Sequence, residues 1–286
     1  MDRLDIINVS KQYGDKIALD DVSCTLSYGI YGLVGPNGAG KSTFINIIST
    51  IIHQTKGEVL YNNEDILNLK KDYRMLLGIM PQNQKGYDGF SGYHFLLYIS
   101  SLKGLKKKQA IEEINRLVNV VGLQNDIHRK IKTYSGGMRQ RLMLVQALIG
   151  NPKIIILDEP TAGLDPLERI KVRNYISQFS KDRIIIIATH IMQDIESIAD
   201  EIILVKKGRF VFAGKIDEAL NSIRGKVYSK EIKEKELSKL QYKYKISNIS
   251  KKLDGLIVRF VSDDPLDWAR QEENVNLEEV YLHYLV

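Results

Sequence analysis

The chain has 286 residues, 44% apolar and 27% charged, the balance of an ordinary globular protein with room for one domain and part of a second. No run of 18 or more apolar residues occurs, which excludes a helical membrane span, and the start MDRLDIINVSKQYG lacks a signal-peptide core, so a cytoplasmic location is expected. The net charge of +6 belongs to one segment, because nine lysines face three glutamates between Lys226 and Lys252 while the remainder is neutral.

In chain order, residues 1–83 read as strands, turns and one strong helix. IYGLVG (30–35) is a short apolar run ending in glycine. PNGAGKST follows it, and then a helix with Phe44, Ile47, Ile48 and Ile51 on one face. Cys24, the only cysteine, excludes an internal disulfide and reads as a small buried residue in a reducing compartment. Residues 85–150 are mostly helical. Within them, TYSGGMRQRL (133–142) sets two bare glycines at the start of a helix whose apolar face is Met138, Leu142, Val145 and Ile149. Glycine costs about 1 kcal/mol in a helix relative to alanine, so something there needs exposed backbone. A helix N-terminus with free N–H groups is an anion site.

KIIILDEP (153–160) and RIIIIATH (183–190) are β-branched runs ending in polar residues, which suits parallel strands buried on both faces. With helical patterns between them, the expected class is α/β, with ligands at the carboxyl ends of the strands. After residue 222 the style changes. YKISNIS and LIVRFVS flank Asp254–Gly255 as a hairpin, and Asn276 with Glu279 forms a capping box for a tail helix faced by Leu277, Val280, Tyr281, Tyr284 and Leu285. Residues 223–286 therefore read as a small α+β appendage to a body spanning 1–222. The lysines of 226–252 alternate with glutamates and apolar residues, which favours a solvated or membrane-surface face over nucleic-acid binding.

Two motifs carry chemistry. GPNGAGKS (35–42) is the G-x-x-x-x-G-K-[ST] phosphate loop, placed after a strand and before a helix. Gly35, Pro36, Asn37, Gly38, Ala39 and Gly40 form a loop whose N–H groups wrap phosphates. Lys41 reaches the β- and γ-phosphates, and Ser42 can ligate Mg²⁺. LDEP (157–160) ends a strand. There Asp158 can hold Mg²⁺, and Glu159 can orient and deprotonate the attacking water.

The order GPNGAGKST, Gln82, SGGMRQR, ILDEP, GLD and His190 resembles the ATPase subunits of ABC transporters over roughly residues 1–220. The resemblance implies a P-loop NTPase core with an inserted helical subdomain (about 85–150), ATP and Mg²⁺ as ligands, and hydrolysis. It implies that Tyr13 stacks on adenine, Thr43 assists the phosphates, Gln82 senses Mg²⁺ and the lytic water, Asp165 lies in a loop crossing between subunits, and His190 contacts the γ-phosphate. It further implies that Ser135, Gly136 and Gly137 cap the γ-phosphate of ATP held by a second subunit, so the active unit is a dimer. Tyr134 and Met138 depart from the commonest signature, which has leucine and glutamine there. A separate polytopic permease is the expected partner, docked near residues 86–104, with the chain peripheral at the inner face of the membrane. The appendage resembles that of drug, lantibiotic or polysaccharide exporters. The alternative is a soluble ABC ATPase acting on ribosomes or nucleic acid, disfavoured because such relatives carry two cassettes or long coiled coils. A nucleotide-binding regulator without turnover conflicts with Glu159 and His190.

Overall fold

The computed structural model describes residues 2–82 and 87–286. Gly86, the first residue of the expected docking stretch, lies outside them, as does Lys85, the first of the helical subdomain.

A six-stranded sheet organises the body, in the order Arg209–Lys215, Glu201–Lys206, Gly29–Val34, Ile184–Ala188, Ile154–Asp158, Leu77–Met80. Its five neighbouring strands from Glu201–Lys206 to Leu77–Met80 pair in parallel, and Arg209–Lys215 closes one edge antiparallel. The β-branched runs lie where both faces are covered. Alternation along them divides the side chains between two cores. Ile154, Ile156, Ile184 and Ile186 pack with Phe44, Ile47 and Ile48 on one side. Ile155, Leu157, Ile185 and Ile187 pack with Leu142, Val145 and Ile149 on the other. Each buried side chain of this size contributes roughly 1.5–3 kcal/mol.

A second, antiparallel sheet of Lys16–Leu26, Leu4–Tyr13, Lys56–Tyr61 and Glu64–Asp65 adjoins the body. Cys24 lies half-buried in its Lys16–Leu26 strand, and burial pushes its thiol up to about 12, the state of an inert packing residue. The helix after the phosphate loop, Lys41–Ile48, is shorter than its apolar pattern suggests. Thr50 takes a φ of +57°, and the N–H groups of Ile51 and Ile52 both return to Asn46 O. Ile51 therefore leaves the buried face and is 65% exposed.

The helical layer is built from Gly92–Leu102, Lys107–Val120 and the signature helix Gly136–Leu148. Tyr134 anchors it: its hydroxyl donates to Asp126 O at 2.9 Å, the side chain is buried, and burial pushes the phenol up to about 12. The tyrosine that departs from the commonest signature thus fixes the approach to the signature helix from below.

The C-terminal residues form a third sheet, in the order Lys245–Lys252, Gly255–Val261, Val227–Ile232, Arg270–Gln271. It has a small core of Tyr228, Ile232, Leu256, Val258 and Phe260. The tail helix Leu277–Leu285 begins with the Asn276–Glu279 capping box and joins the main core through Leu277, Val280 and Leu285. It is tied down by Leu277 N donating to Glu196 Oε2 at 3.3 Å and by Lys206 Nζ donating to Tyr284 O at 3.0 Å. No helix among the described residues is long and apolar enough to cross a membrane.

Candidate active site

At the carboxyl ends of Gly29–Val34 and Ile154–Asp158, one cleft is lined by Tyr13, Lys16, Ala18, Asn37, Gly38, Gly40, Lys41, Ser42, Thr43, Gln82, Asp158 and Glu159. The loop glycines differ in their reasons. A Cβ on Gly35 would stand 2.4 Å from Val205 O, and one on Gly40, which has φ +117°, 2.6 Å from Ala18 O. These two let the loop press onto its own scaffold. Gly38 has φ +78° and open space around it, so its bare backbone faces the cleft. Ala39 is buried, and its N–H closes a turn on Pro36 O at 3.1 Å. No side chain caps the Lys41–Ile48 helix, whose N-terminus therefore points its free N–H groups at the loop.

Lys41 Nζ donates to Gly35 O at 2.6 Å and Pro36 O at 3.2 Å. Burial pulls its pKa down, against the opposing pull of Glu159 and Asp158. Burial first, and Glu159 second, pushes the Asp158 carboxyl up. Both groups thus sit in a cleft that under-solvates charge, a setting that a phosphate chain and a cation would relieve together. Tyr13 is half-exposed at the rim, with Lys11 Nζ 5.1 Å from its ring centroid.

Glu159 is the most constrained residue of the site. Its φ is +52°, rare for a bulky side chain. Its N–H donates to Ala188 O at 2.8 Å, which locks the turn to the neighbouring strand. One carboxylate oxygen accepts from Thr189 Oγ1 at 3.0 Å, and the other meets His190 Nδ1 at 2.8 Å. The His190 side chain is otherwise 69% exposed. The structure therefore joins Lys41, Ser42, Gln82, Asp158, Glu159 and His190 into one neighbourhood.

Ser135, Gly136, Gly137 and Asp165 are not part of the cleft lining. Ser135 caps the signature helix, accepting from Met138 N at 3.2 Å. Asp165 caps the Pro166–Gln178 helix, accepting from Glu168 N at 2.9 Å. The two glycines differ sharply. A Cβ on Gly137 would lie 2.4 Å from Glu168 Oε2 and 2.9 Å from Glu168 Cδ, so a larger residue there would displace the Glu168 side chain from its pairs with Arg141 and Lys171. A Cβ on Gly136 would meet only Leu164 Cδ2 at 3.9 Å. Among the described residues, no packing contact requires glycine at 136.

Lys16, Ala18, Thr189 and Glu168 escaped the sequence reading. Thr189 carried a signal in retrospect, as a hydroxyl next to a histidine at a strand end. Lys16 and Ala18 carried none, because their place depends on how the second sheet folds over the loop.

A sequence profile described as "ABC transporter" matches residues 19–162. The chain belongs to the ABC transporter family. It is 34% identical over 233 residues to an uncharacterised ABC transporter ATP-binding protein, YxlF of Bacillus subtilis, covering 81% of this chain and 77% of that one. The lantibiotic transport ATP-binding protein SrtF of Streptococcus pyogenes is 33% identical over 76% of this chain and 93% of its own length. The Nod factor export ATP-binding protein I of Burkholderia orbicola is 32% identical, with 74% and 70% covered. Among solved structures, an ATP-binding subunit of an ABC transporter superposes with a TM-score of 0.69 at 25% identity, over 77% of this chain and 92% of the other. The cassette is thus an ATPase that hydrolyses ATP for transport, built on a P-loop NTPase α/β fold.

Proposed function

We propose that the cassette works as a pair of copies closing around two ATP molecules, and that this closure drives a separate membrane permease, in the export direction. The observation that carries the reading is Gly136. It is exposed at a helix N-terminus, has no packing reason to be glycine, and lies outside its own chain's cleft. Bare backbone at such a place suits the close approach of a phosphate brought by another subunit.

In this reading Tyr13 supports the base, residues 35–43 hold the phosphates, and Lys41 neutralises the β- and γ-oxygens. Glu159 takes a proton from the attacking water. Thr189 and His190 fix the carboxylate, and His190 turns its exposed ring edge toward the γ-phosphate. Among the described residues, no cluster of three His, Cys, Asp or Glu side chains could hold a metal alone. The raised Asp158 carboxyl and the Ser42 hydroxyl fit a magnesium ion that takes its other ligands from phosphate and water. When bound, that ion would neutralise phosphate charge. Gln82 borders the same space.

The permease surface we assign is a groove between Lys71–Leu76, Leu77–Met80 and Gly92–Leu102. It is lined by Met75, Leu77, Ile79, Ile99 and Leu102 with Lys71, Arg74 and Lys103 about it. Leu102 is 65% exposed on it. The expected stretch 86–104 supplies one wall, and the Lys71–Leu76 helix the other. Such docking would hold the chain at the inner face of the membrane. Export is supported by the names of the lantibiotic and Nod factor relatives. A nucleic-acid role draws no support from the lysine segment. Of its three tyrosines, Tyr228 is buried and Tyr244 packs on Phe260 and Trp268, so Tyr242 alone is left exposed, short of the series of aromatic faces on which successive bases stack.

Replacing Glu159 with glutamine tests the catalytic assignment. Turnover measured as phosphate release should fall by roughly 10²–10⁴, the scale of a positioned base, with ATP binding retained. Wild-type turnover in that variant contradicts the role given to Glu159.

A further inference from the structure

Asp194 is a buried carboxylate that the nucleotide cleft does not use. It is 3% exposed. Its Oδ2 accepts from the Thr161 hydroxyl, itself 1% exposed. Its Oδ1 meets Arg173 Nη1 at 3.2 Å, and that guanidinium also donates to Gln193 O at 3.4 Å and Ser197 Oγ at 3.2 Å. Three elements meet here: the turn after Glu159, the Pro166–Gln178 helix through Arg173, and the Met192–Ile198 helix through Asp194.

Thr161 follows Glu159 by two residues, and Asp194 follows His190 by four. Glu159 and His190 are themselves joined at 2.8 Å. Two chain segments are therefore pinned to each other at both ends, by Glu159–His190 at the site and by Thr161–Asp194 behind it. Between His190 and the helix stands the N-cap residue Ile191, whose N–H donates to Thr189 Oγ1 at 3.1 Å and whose carbonyl accepts from Asp194 N at 3.2 Å, so the joint is tied to both Asp194 and the threonine that holds Glu159. Arg173 pairs with Asp194 at 3.2 Å and orients it, and a buried carboxylate without a partner would be costly.

We infer that Asp194 is a positioning residue for ATP hydrolysis, acting through Thr161 to hold the Glu159 turn and the His190 loop in one geometry. This rests on the roles given above to Glu159 and His190. Loss of the rear pin leaves the nucleotide-binding residues 35–43 untouched and lets the His190 ring drift from the Glu159 carboxylate. The effect should fall on kcat and not on KM for ATP.

The test uses the full chain with Thr161→Val, which removes only the hydroxyl, Thr161→Ser, which keeps it, His190→Ala, and the Val/Ala double variant. Thermal unfolding is recorded for each, so that turnover is read well below every transition. Thr161→Val should lower kcat about tenfold with KM within about twofold, and Thr161→Ser should restore turnover. The double variant should be no slower than His190→Ala, since both changes disable one device. Wild-type turnover in Thr161→Val, failure of serine to rescue, or a double variant slowed by the product of the two single effects overturns the inference. Wild-type turnover in His190→Ala overturns the underlying reading of His190 as well, and is seen separately.

Discussion

Gly136 and Gly137 are adjacent and answer to different demands. A Cβ on Gly137 would lie 2.4 Å from the Glu168 carboxylate and push it from its pairs with Arg141 and Lys171, while one on Gly136 would meet nothing nearer than 3.9 Å among the described residues. Alanine at 137 should therefore destabilise the protein by about 1–3 kcal/mol, the range for overpacking a filled site. Alanine at 136 should hold or raise the unfolding temperature, because alanine favours a helix by up to about 1 kcal/mol, yet lower ATP turnover. Thermal unfolding and phosphate release on the two variants separate the effects. Equal destabilisation by both contradicts the distinction. The sequence showed that bare backbone was wanted at SGG, but not which glycine served which need, since Glu168 is distant in the chain. The Thr161–Asp194 bond spans 33 residues and was invisible for the same reason. The strand-end positions of Glu159 and His190 were legible because each follows an apolar run, whereas the role expected of His190 came from the family resemblance alone.

At the scale of elements, the parallel strands were readable because Ile154–Leu157 and Ile184–Ile187 are apolar at every position, which only strands covered on both faces tolerate. The tail helix was readable from its capping box. The end of the Lys41–Ile48 helix was not, because the left-handed turn at Thr50 has no sequence signal there. The appendage hangs on a buried pair that pattern reading also missed. Glu279 is fully buried and accepts from Arg259, from Ser247 Oγ at 3.1 Å and from its own capping-box N–H at Asn276. The hydrogen bond to Glu279 holds the Arg259 guanidinium above its ordinary pKa. Arg259→Leu strands that carboxylate, at a cost of about 3–5 kcal/mol. Circular dichroism melts should show the loss. An unchanged melting temperature would mean that the appendage does not depend on the pair.

For the whole molecule, the sheet order separates two surfaces. Leu77–Met80 forms one edge and carries the groove assigned to the permease. The tail helix packs on Glu201–Lys206 near the other edge. In the pair proposed above, the cleft would present one half of a site, and Ser135–Gly137 of another copy the complementary half. That claim of action across subunits is tested most directly by size-exclusion chromatography of Glu159→Gln protein, with and without ATP, alone and combined with Gly136→Asp. The account predicts an ATP-dependent dimer for Glu159→Gln that disappears when Gly136→Asp is added, while ATP binding to the monomer is unchanged. A dimer that survives Gly136→Asp at the same concentration, or a monomer that loses ATP binding, would contradict it.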